Sequence, residues 1–384
     1  MPKADGFDQP HTMSFHSALT NRTPFAAAKM VLPDPQGQEA VLIVVRAGFD
    51  VDAGGAIRLN QPQPPIGWTD VPFAPERAAR SSVRHEGDIA LGKPRVDILV
   101  RAEAHCPVGR LMTSLDVAFA FAGVTKHLRV TGDRDWRASV LGRKPSSPRP
   151  FARMELVYER AFGGTTFSNA QSDIEHVEQR NPVGVGFRGA RSADPAVASD
   201  LPNLEYAGEA LDSPDGDIRP AGIGIVGRGW LPRRTLAGTY DEAWQDRRWP
   251  LLPEDFDGAF YQCAPMDQQI ASIVGGESVR LVGLTAAGDW RFRLPTLRVP
   301  ITLMFDRETR TESLRVDTVD IDAIAGTLSM AMRLSVRTRR NQGLLREIVV
   351  GVPTAGYLRA AAAGKRFVDW GRPVPASTYV DVDQ

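Results

Sequence analysis

Residues 40–51 read AVLIVVRAGFDV, and this stretch decides the fold class. Val41, Ile43, Val45, Ala47, Phe49 and Val51 occupy every second position, while Arg46 and Asp50 fall on the alternate ones. Successive side chains of a strand point to opposite faces, so this is a strand with one fully apolar face. Gly54-Gly55 then permits a reversal into 56–59, which predicts a hairpin. Moving outward, the alternation returns at 96–104, at 114–121 and, after an Ala122-Gly123 turn, at 124–131. Beyond residue 267 it recurs at 279–284, 290–294, 301–305, 313–316 and 326–337. Short helices are predicted at 75–82 and at 357–363, the latter closed by Gly364. A third is predicted over 240–247, behind a Thr239-x-x-Glu242 capping box and ahead of Pro250. The expected fold is mainly β, with antiparallel sheets in sandwich- or barrel-like lobes, few short helices, and strand exceeding helix at least two to one.

Between the two strand-rich parts lies a segment of different character. It includes NPVGVGFRGA (181–190), LPNLEYAGEA (201–210) and, from Pro220 to Asp267, PAGIGIVGRGWLPRRTLAGTYDEAWQDRRWPLLPEDFDGAFYQCAPMD. Gly and Pro make up about 24% of residues 181–265, against about 17% of the whole chain (Gly 35, Pro 29). Such residues specify turns, and the interleaved Trp230, Trp244 and Trp249 argue against a flexible linker. The expected organisation is a polar tail at 1–20, a β lobe at 21–145, a loop-rich motif region at 146–267 and a second β lobe at 268–384 ending in a short helix. RKPSSPRP at 143–150 reads as a linker.

Lys plus Arg and Asp plus Glu each total 46, so there is no electrostatic footprint for nucleic acid or an anionic membrane. The two cysteines, Cys106 and Cys263, are too few for a disulfide framework and fit a reducing compartment as free thiols. The first residues lack the apolar core of a signal peptide, and the longest aliphatic run, 40–45, is too short to span a bilayer. A cytoplasmic protein is expected.

The search for chemistry returns little. Gly222-x-Gly224-x-x-Gly227 has the spacing of a dinucleotide fingerprint, but Gly229 and Pro232 sit where the phosphate-binding helix would run. The six histidines have no metal-ligand spacing. Glu155, Glu159, Glu205, Asp241, Glu254, Asp255, Asp257 and Asp267 are numerous enough for a carboxylate-based hydrolase, which needs two of them facing across a cleft. Beside Gly and Pro, such acids more often hold loops by accepting backbone N–H bonds. No cofactor, metal or small-molecule substrate is expected. The aromatics of the middle segment read either as a core under the loops or as an exposed recognition surface.

The motifs of the middle segment resemble those of the domain of unknown function 2169 family. They are Arg160-Ala161-Phe162-Gly163-Gly164, Asn181-Pro182-Val183-Gly184-Val185-Gly186-Phe187, Leu201-Pro202-Asn203-Leu204-Glu205 and Pro220-Ala221-Gly222. Trp230-Leu231-Pro232-Arg233, Ala237-Gly238-Thr239-Tyr240-Asp241 with Trp244, Leu252-Pro253-Glu254-Asp255-Phe256-Asp257, Ala264-Pro265-Met266-Asp267-Gln268 and Asp317-Thr318-Val319-Asp320-Ile321-Asp322 continue the series. The resemblance implies an adaptor, or chaperone, of bacterial type VI secretion. Such a protein holds an effector, often one with a PAAR-repeat tip, for loading onto the VgrG spike, and has no agreed catalytic residues. A carbohydrate-active or other hydrolase is the alternative. Candidate partner-binding or loop-framework residues are Phe162, Asn181, Gly184, Gly186, Phe187, Asn203, Glu205, Trp230, Arg233, Tyr240, Asp241, Trp244, Asp255, Phe256, Asp257 and Asp267. Within this set, Asn181, Asp241, Asp255 and Asp257 are expected to accept backbone N–H bonds. Trp230, Trp244 and Phe256 are expected to pack beneath or beside the loops.

Overall fold

The 40–51 stretch becomes the strand Glu39–Val51, and it sits deep in the largest sheet. A computed structural model describes residues 17–140, 142–167, 175–187, 200–214, 216–340, 343–365, 367 and 374–382. Strand makes up 42% and helix 11%, so the expected excess of strand holds. Both faces of Glu39–Val51 are covered, not one. Val41, Ile43, Val45, Ala47, Phe49 and Val51 enter the main core, and Leu42 and Val44 join a second apolar cluster with Ile66.

Seven strands form this sheet, in the order Gln269–Ile270, Val96–Arg101, Val316–Asp322, Thr327–Arg337, Glu39–Val51 and Ala26–Pro33, with Ile57–Leu59 alongside Glu39–Val51 as the predicted hairpin. Val96–Arg101 and Val316–Asp322 run parallel, the remaining neighbours antiparallel. A second, wholly antiparallel sheet orders Leu204–Tyr206, Val124–Thr131, Ser114–Phe121, Ser278–Val282 and Asp289–Arg293. A third carries Ala18–Asn21, Gly343–Val350, Pro300–Phe305 and Thr309–Ser313, with Arg339–Arg340 beside Gly343–Val350. Inner faces of all three meet in one continuous apolar core, and no sheet closes into a barrel.

The strands do not sort into two successive lobes. The first two sheets each pair strands from before residue 145 with strands from after 268. A buried strand needs hydrogen-bonding partners on both edges. Alternation along Glu39–Val51 reports its faces but not which strand, hundreds of residues away, supplies that partner. The expected tail is also corrected in part. Ala18–Asn21 is a strand parallel to Gly343–Val350, and residues 1–16 lie outside the described residues.

Other boundaries shift for local reasons. The expected linker at 143–150 is tied down: Gly142–Pro145 pairs with Trp136–Ser139, and the Arg149 amide donates to Asp133 O at 3.0 Å. The stretch 313–316 is where Thr309–Ser313 ends and Val316–Asp322 begins, so it is a junction, not a strand. The helix after Thr239 is Glu242–Arg247, and its N-cap is Asp241, which accepts from Trp244 N. Thr239 is instead drawn to Asp255. The last helix, Ala355–Ala362, starts two residues before the predicted bound. Among the described residues, no helix is long and apolar enough to cross a membrane.

Because Phe49 is fully buried in the shared core, Phe49→Ala should cost about 3–5 kcal/mol, read as a lowered midpoint in urea unfolding.

Candidate functional site

The outer face of the seven-stranded sheet is charged. Val96, Ile98 and Val100 point to the core, so Asp97 and Arg101 point the other way. By the same alternation Val319 and Ile321 face the core and leave Thr318, Asp320 and Asp322 beside them. Asp97 is 0% exposed and saturated. Its Oδ1 accepts from Gln262 Nε2 (2.7 Å) and Ala264 N (3.1 Å), and its Oδ2 from Lys93 Nζ (2.6 Å) and Cys263 N (2.9 Å). One carboxylate on a core strand therefore holds the middle segment at 262–264. Burial opposes its charge, but Lys93 and the backbone donors outweigh that and lower its pKa.

Neighbouring charges extend the seam. Arg101 binds Asp320 (2.6 Å) and Asp322 (3.1 Å). Burial again opposes the Asp320 charge, yet Arg101, with His85 and Arg46 nearby, brings its pKa down to about 2. Arg333 bridges Asp88 (2.9 Å) and Asp317, and Arg46 also reaches Asp88 (2.9 Å). Lys126 donates to Gly222 O (2.8 Å) and Gln268 Oε1 (2.6 Å) and pairs with Asp267 (2.9 Å). Burial lowers the Lys126 pKa to about 8 despite Asp267. Both cysteines are free thiols.

Arg233 is the second fastening. It is buried, donates to Phe260 O and Val226 O (both 2.8 Å), forks onto Glu86, and lies over the Phe260 ring. Phe256, Phe260 and Tyr261 pack edge to face around it. Trp230 enters the core and meets buried Tyr158 edge-on at 5.1 Å. Two of the 222–227 glycines serve these rings. A Cβ on Gly222 would collide with Tyr158, and one on Gly227 would lie 2.8 Å from the Trp230 ring, so the first and last positions of the dinucleotide-like spacing have a packing explanation.

Trp244 is a half-buried residue of the short helix, with Nε1 donating to Leu251 O at 2.9 Å and Tyr240 edge-on against it at 4.7 Å. The expected aspartate caps are present. Asp241 accepts from Trp244 N (2.8 Å), Asp255 from Thr239 N (2.9 Å) and Asp257 from Ala259 N (2.8 Å). What this framework leaves exposed is Tyr240 (54%) and Trp249 (67%), beside a pocket of about 290 Å³ lined by Trp244, Arg247, Arg248 and Asp255.

The remaining candidates form a separate group. Phe162, with Trp136, Leu201, Leu211 and Phe187, makes a small core of its own, Phe162 and Phe187 meeting edge to face. Asn181 departs from expectation, because it donates. Its Nδ2 donates to Tyr158 O (2.8 Å) and Phe162 O (3.0 Å), while its Oδ1 is buried without a partner among the described residues. Gly184 leaves room for that amide, and Gly186, at φ +93°, passes Pro202 closely. Asn203 joins Thr131 O, Asp133 and Arg160, and buried Glu205 accepts from Leu211 N and pairs with Arg134.

Most middle-segment carboxylates are thus engaged in holding loops. Glu159 also accepts from Ser82 N and Oγ, both at 2.7 Å. Among the described residues, no three His, Cys, Asp or Glu side chains gather as a metal-binding group.

A model of the family described as an uncharacterized protein conserved in bacteria (DUF2169) matches residues 36–333. The chain belongs to the DUF2169 family. No curated protein and no solved structure matches it. The DUF2169 span contains both fastenings and the whole charged seam, from Arg46 to Arg333. Asp97, Lys93, Glu86 and Arg333 were missed as site residues. Only the alternating acids of DTVDID (317–322) hinted at a buried charged row.

Three outcomes follow from this electrostatics. Asp97→Asn should leave the Lys93 ammonium buried without its counter-charge and cost about 3–5 kcal/mol in denaturant unfolding. For Asp320, a folded pKa of about 2 below the unfolded 3.8 means stabilisation that is complete above that value and lost as pH falls toward 2. For Lys126 the folded pKa of about 8 lies below the unfolded 10.5, so the unfolded chain binds more protons between them. Stability should therefore rise with pH across that window, and urea melts of Lys126→Met should lose the rise.

Proposed function

We propose that this protein is a cytoplasmic adaptor, or chaperone, that holds a type VI secretion effector, PAAR-tipped clients included, and assists its loading onto the VgrG spike. The observation that carries the reading is the pair of exposed aromatics, Tyr240 and Trp249, displayed by a loop framework fastened through Asp97, Arg233 and the aspartate caps. Trp and Tyr are the residues that most often dominate binding hot spots, and a surface already fixed loses little entropy on binding. Membership in DUF2169 supports the same reading through the type VI resemblance of its motifs. A hydrolytic reading has less support, since the carboxylates it would use are largely occupied as caps and ion-pair partners.

The test is co-expression with the product of a neighbouring effector or VgrG gene, followed by affinity capture and thermal melting. The double variant Tyr240→Ala/Trp249→Ala, which gives up one edge-to-face contact with Trp244, should lose less stability than Trp244→Ala and yet lose capture. Trp244→Ala, which removes a half-buried ring and strands the Leu251 carbonyl, should lose about 2 kcal/mol of stability and weaken capture together. Full capture by the double variant would overturn the choice of surface. Failure of the wild-type chain to retain any neighbouring product would overturn the adaptor reading.

A further inference from the structure

A cleft of about 930 Å³ opens beside the ends of Val316–Asp322 and Thr309–Ser313, away from the residues of the Tyr240 and Trp249 ledge. Ile273, Val274, Leu297, Leu314, Met330 and Leu334 give it apolar walls, and Val274 is 81% exposed. Its volume is at the upper end of the roughly 300–1,000 Å³ typical of ligand pockets.

The charges in the cleft decide what fits. Lys93, Arg333 and Asp317 line the floor, but they are spoken for by Asp97, Thr318 and Asp88 and by one another. Glu312 on the rim is held by Arg310 at 2.6 Å. Two guanidinium groups are left. Among the described residues the Arg95 guanidinium donates to the Gln269 carbonyl and to no acid, and exposed Arg315 has no hydrogen bond or ion pair. Neither is paired with an acid among the described residues, and the nearby Glu277 carboxylate is taken up by the Val274 and Gly275 amides, so the mouth keeps two unpaired positive groups.

The third feature is backbone. Among the described residues Thr309–Ser313 is the outermost strand of its sheet and pairs on one side, with Pro300–Phe305, and its Glu312 and Ser313 border the cleft. An unpaired edge offers a row of amide and carbonyl groups to another extended chain, which gains main-chain bonds while alternate side chains enter the groove beside it. A small molecule would call for convergent polar groups at the floor, and those are already paired.

We propose that this cleft binds an extended acidic segment of a partner protein. The segment adds as a strand along Thr309–Ser313, sets apolar side chains against Ile273, Val274 and Leu334, and presents carboxylates to Arg95 and Arg315. The site is separate from the Tyr240 and Trp249 ledge and requires no secretion component for its test.

The probe is a fluorescein-labelled decapeptide of alternating Val and Leu positions bearing glutamates, titrated with the full chain by fluorescence anisotropy. A lysine counterpart and a version with proline at alternate positions serve as comparisons. The glutamate peptide should bind saturably, and the lysine peptide at least about tenfold more weakly. Arg95→Glu/Arg315→Glu should reverse that preference with an unchanged melting temperature, since both residues are exposed. The proline peptide should lose binding. The Tyr240→Ala/Trp249→Ala variant should bind the glutamate peptide like wild type, which separates this site from the adaptor surface. Absence of saturable binding at millimolar protein, or equal binding of the two charged peptides, would overturn the proposal. So would a charge reversal without effect, and displacement by millimolar inorganic phosphate would reassign the site to a simple anion.

Discussion

The Asp97 carboxylate, fully buried and accepting from Lys93, Gln262, Cys263 and Ala264, is the contact on which the arrangement of the chain depends. It belongs to a strand of the seven-stranded sheet, and three of its donors come from 262–264 in the middle segment, a stretch outside any helix or strand. A buried charge without such donors would be costly, so the carboxylate and the loop require each other. Arg101 with Asp320 and Asp322, and Arg333 with Asp88 and Asp317, repeat the device along the same sheet face. An apolar face accepts many neighbours in many registers, whereas a paired charge accepts few. The seam therefore fixes where the middle segment lies as much as how firmly.

From that anchorage the exposed surface follows. Arg233 ties the Phe256, Phe260 and Tyr261 cluster to Val226 and Glu86, and the aspartate caps hold the short helix that carries Trp244. Trp249 and the outer face of Tyr240, whose edge meets Trp244, are presented to solvent by this scaffold. Rigid support beneath and large aromatics above is an arrangement suited to recognising a protein. The cleft beside Thr309–Ser313 is built differently, from a free strand edge and two uncompensated arginines, and so favours an extended acidic chain.

Side-chain chemistry explains which parts of the candidate site were legible in advance. Asp241 and Asp257 sit beside turn residues, and a short acid there bonds an amide two or three residues on whatever the rest of the chain does, whereas Asp255 reaches Thr239 across the loop. Asn181 is equally short, but its environment is two carbonyls brought by Tyr158 and Phe162, so its amide nitrogen is used. The open question about the aromatics divides. Trp230 went to the core, Trp244 to an intermediate position and Tyr240 and Trp249 to solvent, a partition set by packing partners distant in the chain.

Alternation at 40–51, 114–121, 124–131 and 326–337 was enough by itself to determine strands and their faces, because a period of two is a property of the local backbone. Motif order in the middle segment was likewise enough for the family. Only the tertiary structure decided that Thr327–Arg337 lies between Glu39–Val51 and Val316–Asp322, so that what reads as two lobes is interleaved in shared sheets. It alone decided that the acids at 317–322 are buried opposite Arg101 and Arg333. Strand pairing and charge pairing are both made across hundreds of residues, and nothing in a local repeat names the partner on the other side.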